Sequence, residues 1–119
     1  MNVPGLITKT EQAIAAVDKA ITYLPKAARE FADADNEYRK AKSLAYLAQK
    51  QGTVEERKAL VDKVCELERL RAHLAEAQWK AALQAVKART AQLSARQSIL
   101  NAVRQEMKFE QTKPSEFVT

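Results

Sequence analysis

The sequence predicts an all-α protein of two or three long helices, a helical hairpin with coiled-coil-like packing that assembles into a homo-oligomer. Its 119 residues include only 2 Gly and 3 Pro, so there is little turn material and few elements fit. The chain has 22 alanines but only 26 residues of Leu, Ile, Val and Phe together. Alanine favours helix yet buries little area, so a lone chain builds only a thin core and we expect self-association.

The first two helices are separated by Pro25. Residues 1–8 read as a flexible lead-in, and Thr8 or Thr10 is expected to cap a first helix over residues 10–24. Proline disfavours a helix interior, so we expect Pro25 to end this helix and residues 26–51 to form a second one. The apolar stripe of the first helix has spacings of 3, 4 and 3 and comprises Ile14, Val17, Ile21 and Leu24. The stripe of the second is interrupted by charge and comprises Ala28, Phe31, Asp35, Tyr38, Lys42, Ala45 and Leu47.

The strongest local signal is the boundary before the third helix. Gly52 suits the end of a helix, Thr53 is a good N-cap, and Glu56 completes a capping box with it. No Gly or Pro follows from residue 54 to residue 108. One long helix is therefore predicted over residues 54–108, within a single domain of residues 1–110 that is followed by a flexible tail, 111–119.

Two apolar seams run along this third helix, both with alternating spacings of 3 and 4. The early seam is Leu60, Val64, Leu67, Leu70, Leu74, Ala77 and Ala81. Near Trp79 the phase of the pattern changes, and the later seam is Trp79, Leu83, Val86, Thr90, Leu93, Gln97, Leu100, Val103 and Met107. The change suggests that one seam packs on the second helix of the same chain and the other on a neighbouring subunit. The predicted subunit interface is Trp79, Leu83, Val86, Leu93, Leu100 and Val103.

Catalytic and metal chemistry finds little support in the sequence. His73 is the only histidine and Cys65 the only cysteine, too few for a zinc site, and Cys65 reads as a small core residue. No glycine-rich phosphate loop or known catalytic signature is present. We therefore expect no enzyme activity, no cofactor and no metal. Without a membrane-spanning run or a signal-peptide pattern, a cytoplasmic location is the expectation.

Positive charge is concentrated in two windows without carboxylates, although the formal net charge is only +5. Such windows on helices suggest binding to a polyanion, most simply nucleic acid. Tyr46 lies one turn from Lys42, where it either stacks on a base or belongs to the core. The first window is residues 38–54, with Arg39, Lys40, Lys42 and Lys50; the second is residues 77–105, with Lys80, Lys87, Arg89, Arg96 and Arg104. An acidic partner, such as Asp33, Asp35 and Glu37 of the same or another chain, is the alternative explanation.

Three of these elements resemble the UvsY family of phage recombination mediators. The elements are Lys40-Ala41-Lys42 with Tyr46 close behind, the turn at Gly52, and Gln78-Trp79 on a long helix. The resemblance covers about residues 30–110. The turn is shorter here, and Ala45 stands where the family has its first tyrosine. The resemblance implies a ring-like helical homo-oligomer without catalytic activity that binds single-stranded DNA, helps displace single-strand-binding protein and loads a RecA-type recombinase.

The functional expectation is therefore a phage-type recombination mediator that binds single-stranded DNA in the cytoplasm of the host cell. The alternative is a helical structural or chaperone-like module, such as a scaffold or secretion chaperone, whose basic windows contact acidic protein. The salt dependence of binding to an oligonucleotide distinguishes the two hypotheses.

Overall fold

The computed structural model describes the backbone of residues 2–112 and the side chains as far as residue 110. Over this range the chain is entirely α-helix and connecting turn, which confirms the all-α prediction. The helices are α1 (Val3–Ala48), α2 (Val54–Val64) and α3 (Glu66–Thr112). The flexible tail predicted for residues 111–119 falls partly on α3, which reaches Thr112, and otherwise lies outside the described residues.

The N-terminus is helical from Val3, so the predicted flexible lead-in is wrong. Asn2 acts as the cap, because its side-chain Oδ1 accepts a hydrogen bond from the Gly5 N–H at 3.0 Å. The threonines proposed as caps bond differently. The Thr10 hydroxyl donates to the Leu6 carbonyl at 2.8 Å, and the Thr8 hydroxyl donates to the carbonyl four residues earlier at 3.0 Å. Both lie inside the helix, one turn after the carbonyl they bond.

Pro25 does not end a helix, and the predicted boundary between residues 24 and 26 is wrong. α1 runs through Pro25 without interruption and ends at Ala48, three residues before the predicted end. Apolar packing continues on both sides of the proline, since Leu24 is half-buried and Ala27 is buried. Pro25 itself is exposed, so water can satisfy the Ile21 carbonyl that a proline nitrogen cannot.

The turn after α1 follows the predicted chemistry. Gly52 has a φ of +100°, in the region that glycine adopts at little cost. Thr53 caps α2, accepting a hydrogen bond from the Glu56 N–H at 3.2 Å. The Glu56 carboxylate also folds back over this turn, since a Cβ on Gly52 would lie 2.8 Å from its Oε2. The boundary before residue 54 is therefore confirmed.

The single helix predicted for residues 54–108 is divided at Cys65 into α2 and α3. Cys65 has φ −97° and ψ 16°, outside helical geometry. The disruption is slight, because the Cys65 N–H still donates to Val61 and its carbonyl still accepts from Arg69, each at 2.9 Å. No Gly or Pro marks this position. Val61 and Cys65 are the largest fully buried side chains, so tertiary packing is the cause we assign to the break.

Internal contacts divide the chain into two compact units, and the single domain predicted for residues 1–110 stays a prediction. Unit 1 is Met1–Ile21 with Ala85–Thr119, and unit 2 is Thr22–Gln84. The buried residues of unit 1 are Thr10, Val17, Leu100 and Val103. Those of unit 2 are mostly small: Ala27, Ala45, Val61, Cys65, Ala72, Ala75 and Ala82. In each unit, a stretch of α1 is paired with a later helical segment.

Candidate nucleic-acid interface

The first basic window lies at the end of α1, in unit 2. Arg39, Lys40, Ser43 and Leu44 line a shallow, open depression on the surface. The charge of Arg39 is partly compensated, because its Nε lies 2.9 Å from Asp35 Oδ2 in an exposed ion pair one helical turn apart. Such pairs contribute little to stability, at about 0–1 kcal/mol. The acidic partner considered from the sequence is therefore present for Arg39 within its own helix, and Lys40 is the exposed cation beside it.

Two tyrosines of this window take part in packing. Tyr38 and Tyr46 are half-buried and pack against the core cluster of Ala45, Val61 and Cys65. Lys42 is also half-buried, with its Nζ 5.8 Å from the centroid of the Tyr38 ring, within the range of a cation–π contact. Of the two roles left open for Tyr46, the structure supplies the packing role. Its contact with a base stays a prediction.

The environment of Cys65 supports its assignment to the core. The thiol is buried, and desolvation raises its pKa; Glu68 and Asp62 raise it further, while Lys42 opposes them. A thiol with a raised pKa is a poor nucleophile at neutral pH. Cys65 therefore acts here as a small apolar residue beneath the basic window.

The second basic window lies on α3. Lys80 belongs to unit 2 and is paired with Glu76 one turn earlier, at 2.9 Å between Nζ and Oε1. The other four side chains belong to unit 1 and are all exposed: Lys87, Arg89, Arg96 and Arg104. Lys50, from the first window, is exposed directly after α1.

The three arginines of this window lie on one side of α3. At about 100° per residue, Arg89, Arg96 and Arg104 fall within roughly 80° of one another around the helix axis, over about 22 Å of its length. They share this side with Leu100 and Val103, which are buried, although the arginines themselves are exposed. Long cationic side chains commonly pack their aliphatic part along an apolar seam while the charged group stays in water. The arrangement can hold a linear polyanion along the edge of the seam.

The side chains predicted to form a subunit interface are largely packed within the chain. Leu100 and Val103 are buried in unit 1, and Trp79 stacks on Phe31 of α1 in unit 2, with ring centroids 5.4 Å apart and planes inclined by 23°. The remaining three, Leu83, Val86 and Leu93, are half-buried. A single chain does not test their contact with a neighbour, so that role stays a prediction.

Sequence reasoning missed that the leucines of the early seam are exposed on unit 2. Leu67, Leu70 and Leu74 of α3 are each more than half exposed. The signal was present, since Ala72, Ala75, Trp79 and Ala82 repeat at spacings of 3 and 4 beside the leucines. This second stripe, of three alanines and one tryptophan, is the one that is buried or half-buried. The pattern of leucines does not indicate it, because alanine is a weaker marker of a core than leucine.

Further findings limit other kinds of site. Among the described residues, no group of three or more His, Cys, Asp and Glu side chains could hold a metal ion. His73 is exposed. In the part of the chain that the structure describes, none of the helices combines the length and the apolar character that crossing a bilayer requires.

Comparison with models of protein families, with curated proteins and with solved structures gave no match.

Proposed function

We propose that this protein binds single-stranded DNA without sequence preference and acts as a homo-oligomeric recombination mediator. The observation that carries the proposal is the row of exposed arginines on α3, Arg89, Arg96 and Arg104, on a stretch of 29 residues without a carboxylate. A helical stretch whose charged side chains are all cationic attracts phosphates and releases their counterions. Exposed faces of helices usually mix both signs, so this uniform stretch favours an anionic partner.

A single strand fits this surface better than a duplex. The arginines are spaced by about 10–12 Å along the helix axis, which lets a flexible backbone follow them. The described helices offer few polar side chains arranged to read base edges in a major groove. Lys40 and Arg39 on α1 form a second exposed basic surface, which belongs to unit 2.

Loading of a RecA-type recombinase and displacement of single-strand-binding protein are part of the proposal through the resemblance to the UvsY family. Lys40, Lys42 and Tyr46, which carry that resemblance, lie in the last part of α1, in unit 2. Lys40 is exposed, whereas Lys42 and Tyr46 are half-buried. We therefore expect Lys40 to make more of the contact with phosphate than Lys42 does.

The test is a titration of a labelled single strand at several salt concentrations. Replacing the three arginines with glutamine keeps two of the three methylenes of each stem and removes three charges. Each phosphate contact on a single strand contributes about 0.7 to the slope of log affinity against log salt, so the slope should fall by up to about 2. The matched control removes three exposed lysines elsewhere, Lys26, Lys58 and Lys63, again by glutamine.

Equal loss in the two triple variants would refute the assignment to α3, because net charge alone would then explain binding. Binding of duplex as tightly as single strand at the same salt would refute the preference for a single strand.

A second candidate function is a protein-interaction module, and a specific observation favours it. Leu67, Leu70 and Leu74 are exposed along one side of α3 in unit 2, and a continuous apolar patch is typical of a surface that binds another protein. If the chain binds no oligonucleotide at low salt, this function replaces the first.

A further inference from the structure

A stripe of leucines covers one face of unit 2. Leu67, Leu70 and Leu74 of α3 are 56%, 54% and 61% exposed, and Leu60 and Val64 of α2 continue the exposed apolar surface. Scattered exposed leucines are ordinary, but adjacent ones along a helix form a continuous patch. We call Leu67, Leu70 and Leu74 the leucine stripe.

The leucine stripe lies on a different side of α3 from the face that packs within unit 2. At about 100° per residue, Ala72 lies about 165° and Ala75 about 105° around the helix from the centre of the stripe. Both alanines are buried, as is Ala82 one to two turns later. The packing of unit 2 therefore uses these alanines together with Trp79, and it leaves the leucine stripe in water.

The stripe has the spacing of a coiled-coil seam. Leu67, Leu70 and Leu74 are followed by Ala77 and Ala81, which gives spacings of 3, 4, 3 and 4. In heptad terms Leu67 and Leu74 occupy a positions and Leu70 a d position. All five residues lie on α3 after the break at Cys65, so the register is uninterrupted. Such a seam is complementary to another helix with the same pattern.

We propose that the leucine stripe of one chain packs against the leucine stripe of a second copy, with the two α3 helices parallel and in register. In the heptad defined by the leucines, Glu66 takes a g position and Arg71 the following e position. These are the two positions that face each other between parallel helices, five residues apart in sequence. Both side chains are exposed in the single chain.

Charge complementarity is what selects a second copy as the occupant. The two-fold symmetry of a parallel pair forms the Glu66–Arg71 contact twice, once on each side of the seam. The same register places Leu67, Leu70 and Leu74 each opposite its own counterpart, giving three consecutive leucine layers. An antiparallel pair would instead face g positions with g positions and would separate Glu66 from Arg71. The proposal concerns different residues from those proposed to bind DNA, and it holds whether or not DNA binds.

The experiment is sedimentation equilibrium of the full chain at micromolar concentration. We expect a mass of at least twice 13.3 kDa. Leu70→Glu should shift the protein to the monomer mass. Because Leu70 is exposed in the single chain, helicity by circular dichroism should be kept. Ile99→Glu is the matched control, since Ile99 is also an exposed aliphatic residue of α3, at 50%, but lies outside the stripe.

Orientation is tested by exchanging charges. Glu66→Arg and Arg71→Glu should each weaken association, and the double exchange should restore it. Leu70→Cys should form an intermolecular disulfide in mild oxidant, whereas the wild-type chain, whose Cys65 is buried, should not. A monomeric wild-type protein, association unaffected by Leu70→Glu, or failure of the double exchange to restore association would overturn the proposal. DNA titration of the Leu70→Glu variant separates this outcome from failure of the proposed function.

Discussion

Replacing Pro25 with alanine should stabilise this protein. A proline within a helix lacks the N–H that would bond to the carbonyl four residues earlier, and its ring crowds the preceding turn. Pro25 lies in the middle of α1, a helix of 46 residues. Its side chain is exposed, so alanine removes the backbone conflict and sacrifices little packing.

The size of the effect follows from two limits. Restoring one hydrogen bond, from the new N–H to the Ile21 carbonyl, contributes about 1 kcal/mol. The full difference in helix propensity between proline and alanine in a helix interior is about 3 kcal/mol. Since water can already satisfy part of the exposed carbonyl, we expect an increase of about 2 kcal/mol in the free energy of unfolding. For a chain of this size, that is about 6–10 °C in melting temperature.

Thermal and urea denaturation followed by circular dichroism measure this change. Lys26→Ala is the matched control, because Lys26 is the adjacent exposed position and alanine there should change stability by less than about 0.5 kcal/mol. If α1 instead ended at residue 24, Pro25→Ala would leave stability unchanged. A neutral or destabilising result would thus contradict a continuous α1.

Three smaller predictions concern the turn and the core of unit 2. Thr53→Ala should lower the free energy of unfolding by about 1 kcal/mol through loss of the α2 cap, and Thr53→Asp should retain most of it in urea denaturation. Tyr46→Ala should lower stability by about 2 kcal/mol because the ring packs on the core, and an added loss of affinity for a single strand in a binding titration would show that the ring also stacks on a base. For Cys65, burial and then Glu68 and Asp62 raise the thiol pKa, so its stabilising contribution is full below the ordinary value of 9.0 and is lost as pH rises through the raised pKa. The difference in stability between wild type and Cys65→Ala, measured from pH 8 upward, should shrink; a constant difference would contradict a raised pKa.

Local signals in the sequence correctly predicted the all-α class and the turn before α2. Thr53 with Glu56, preceded by Gly52, identified the start of α2 because capping depends on side chains a few residues apart. Thr8 and Thr10 misled for a related reason. Threonine hydroxyls cap helices but also bond to carbonyls inside them, and the competing cap, Asn2, lay earlier in the chain.

Long-range packing caused the remaining errors. Pro25 usually ends a helix, but continuous apolar contacts on both sides retain α1 across it. Nothing local marks Cys65, where the break lies at the buried core. The choice between the leucine stripe and its alanine neighbours as the inner face depends on how closely two backbones approach, which spacing alone does not determine.

The same choice separates the residues of the proposed assembly from those proposed to bind DNA. Alanines on the inner face let α1 and α3 pair within the chain, but they bury little apolar area. The leucine stripe is then exposed, and a second copy can bury it without any change in the turn between α1 and α2. The arginines proposed to bind DNA occupy a later stretch of α3, in unit 1. Because the two sets of residues do not overlap, Leu70→Glu should abolish association and leave the affinity of a single chain for DNA unchanged at low salt. The difference in apparent affinity between the wild type and this variant would then measure the avidity that the assembled protein gains on one strand.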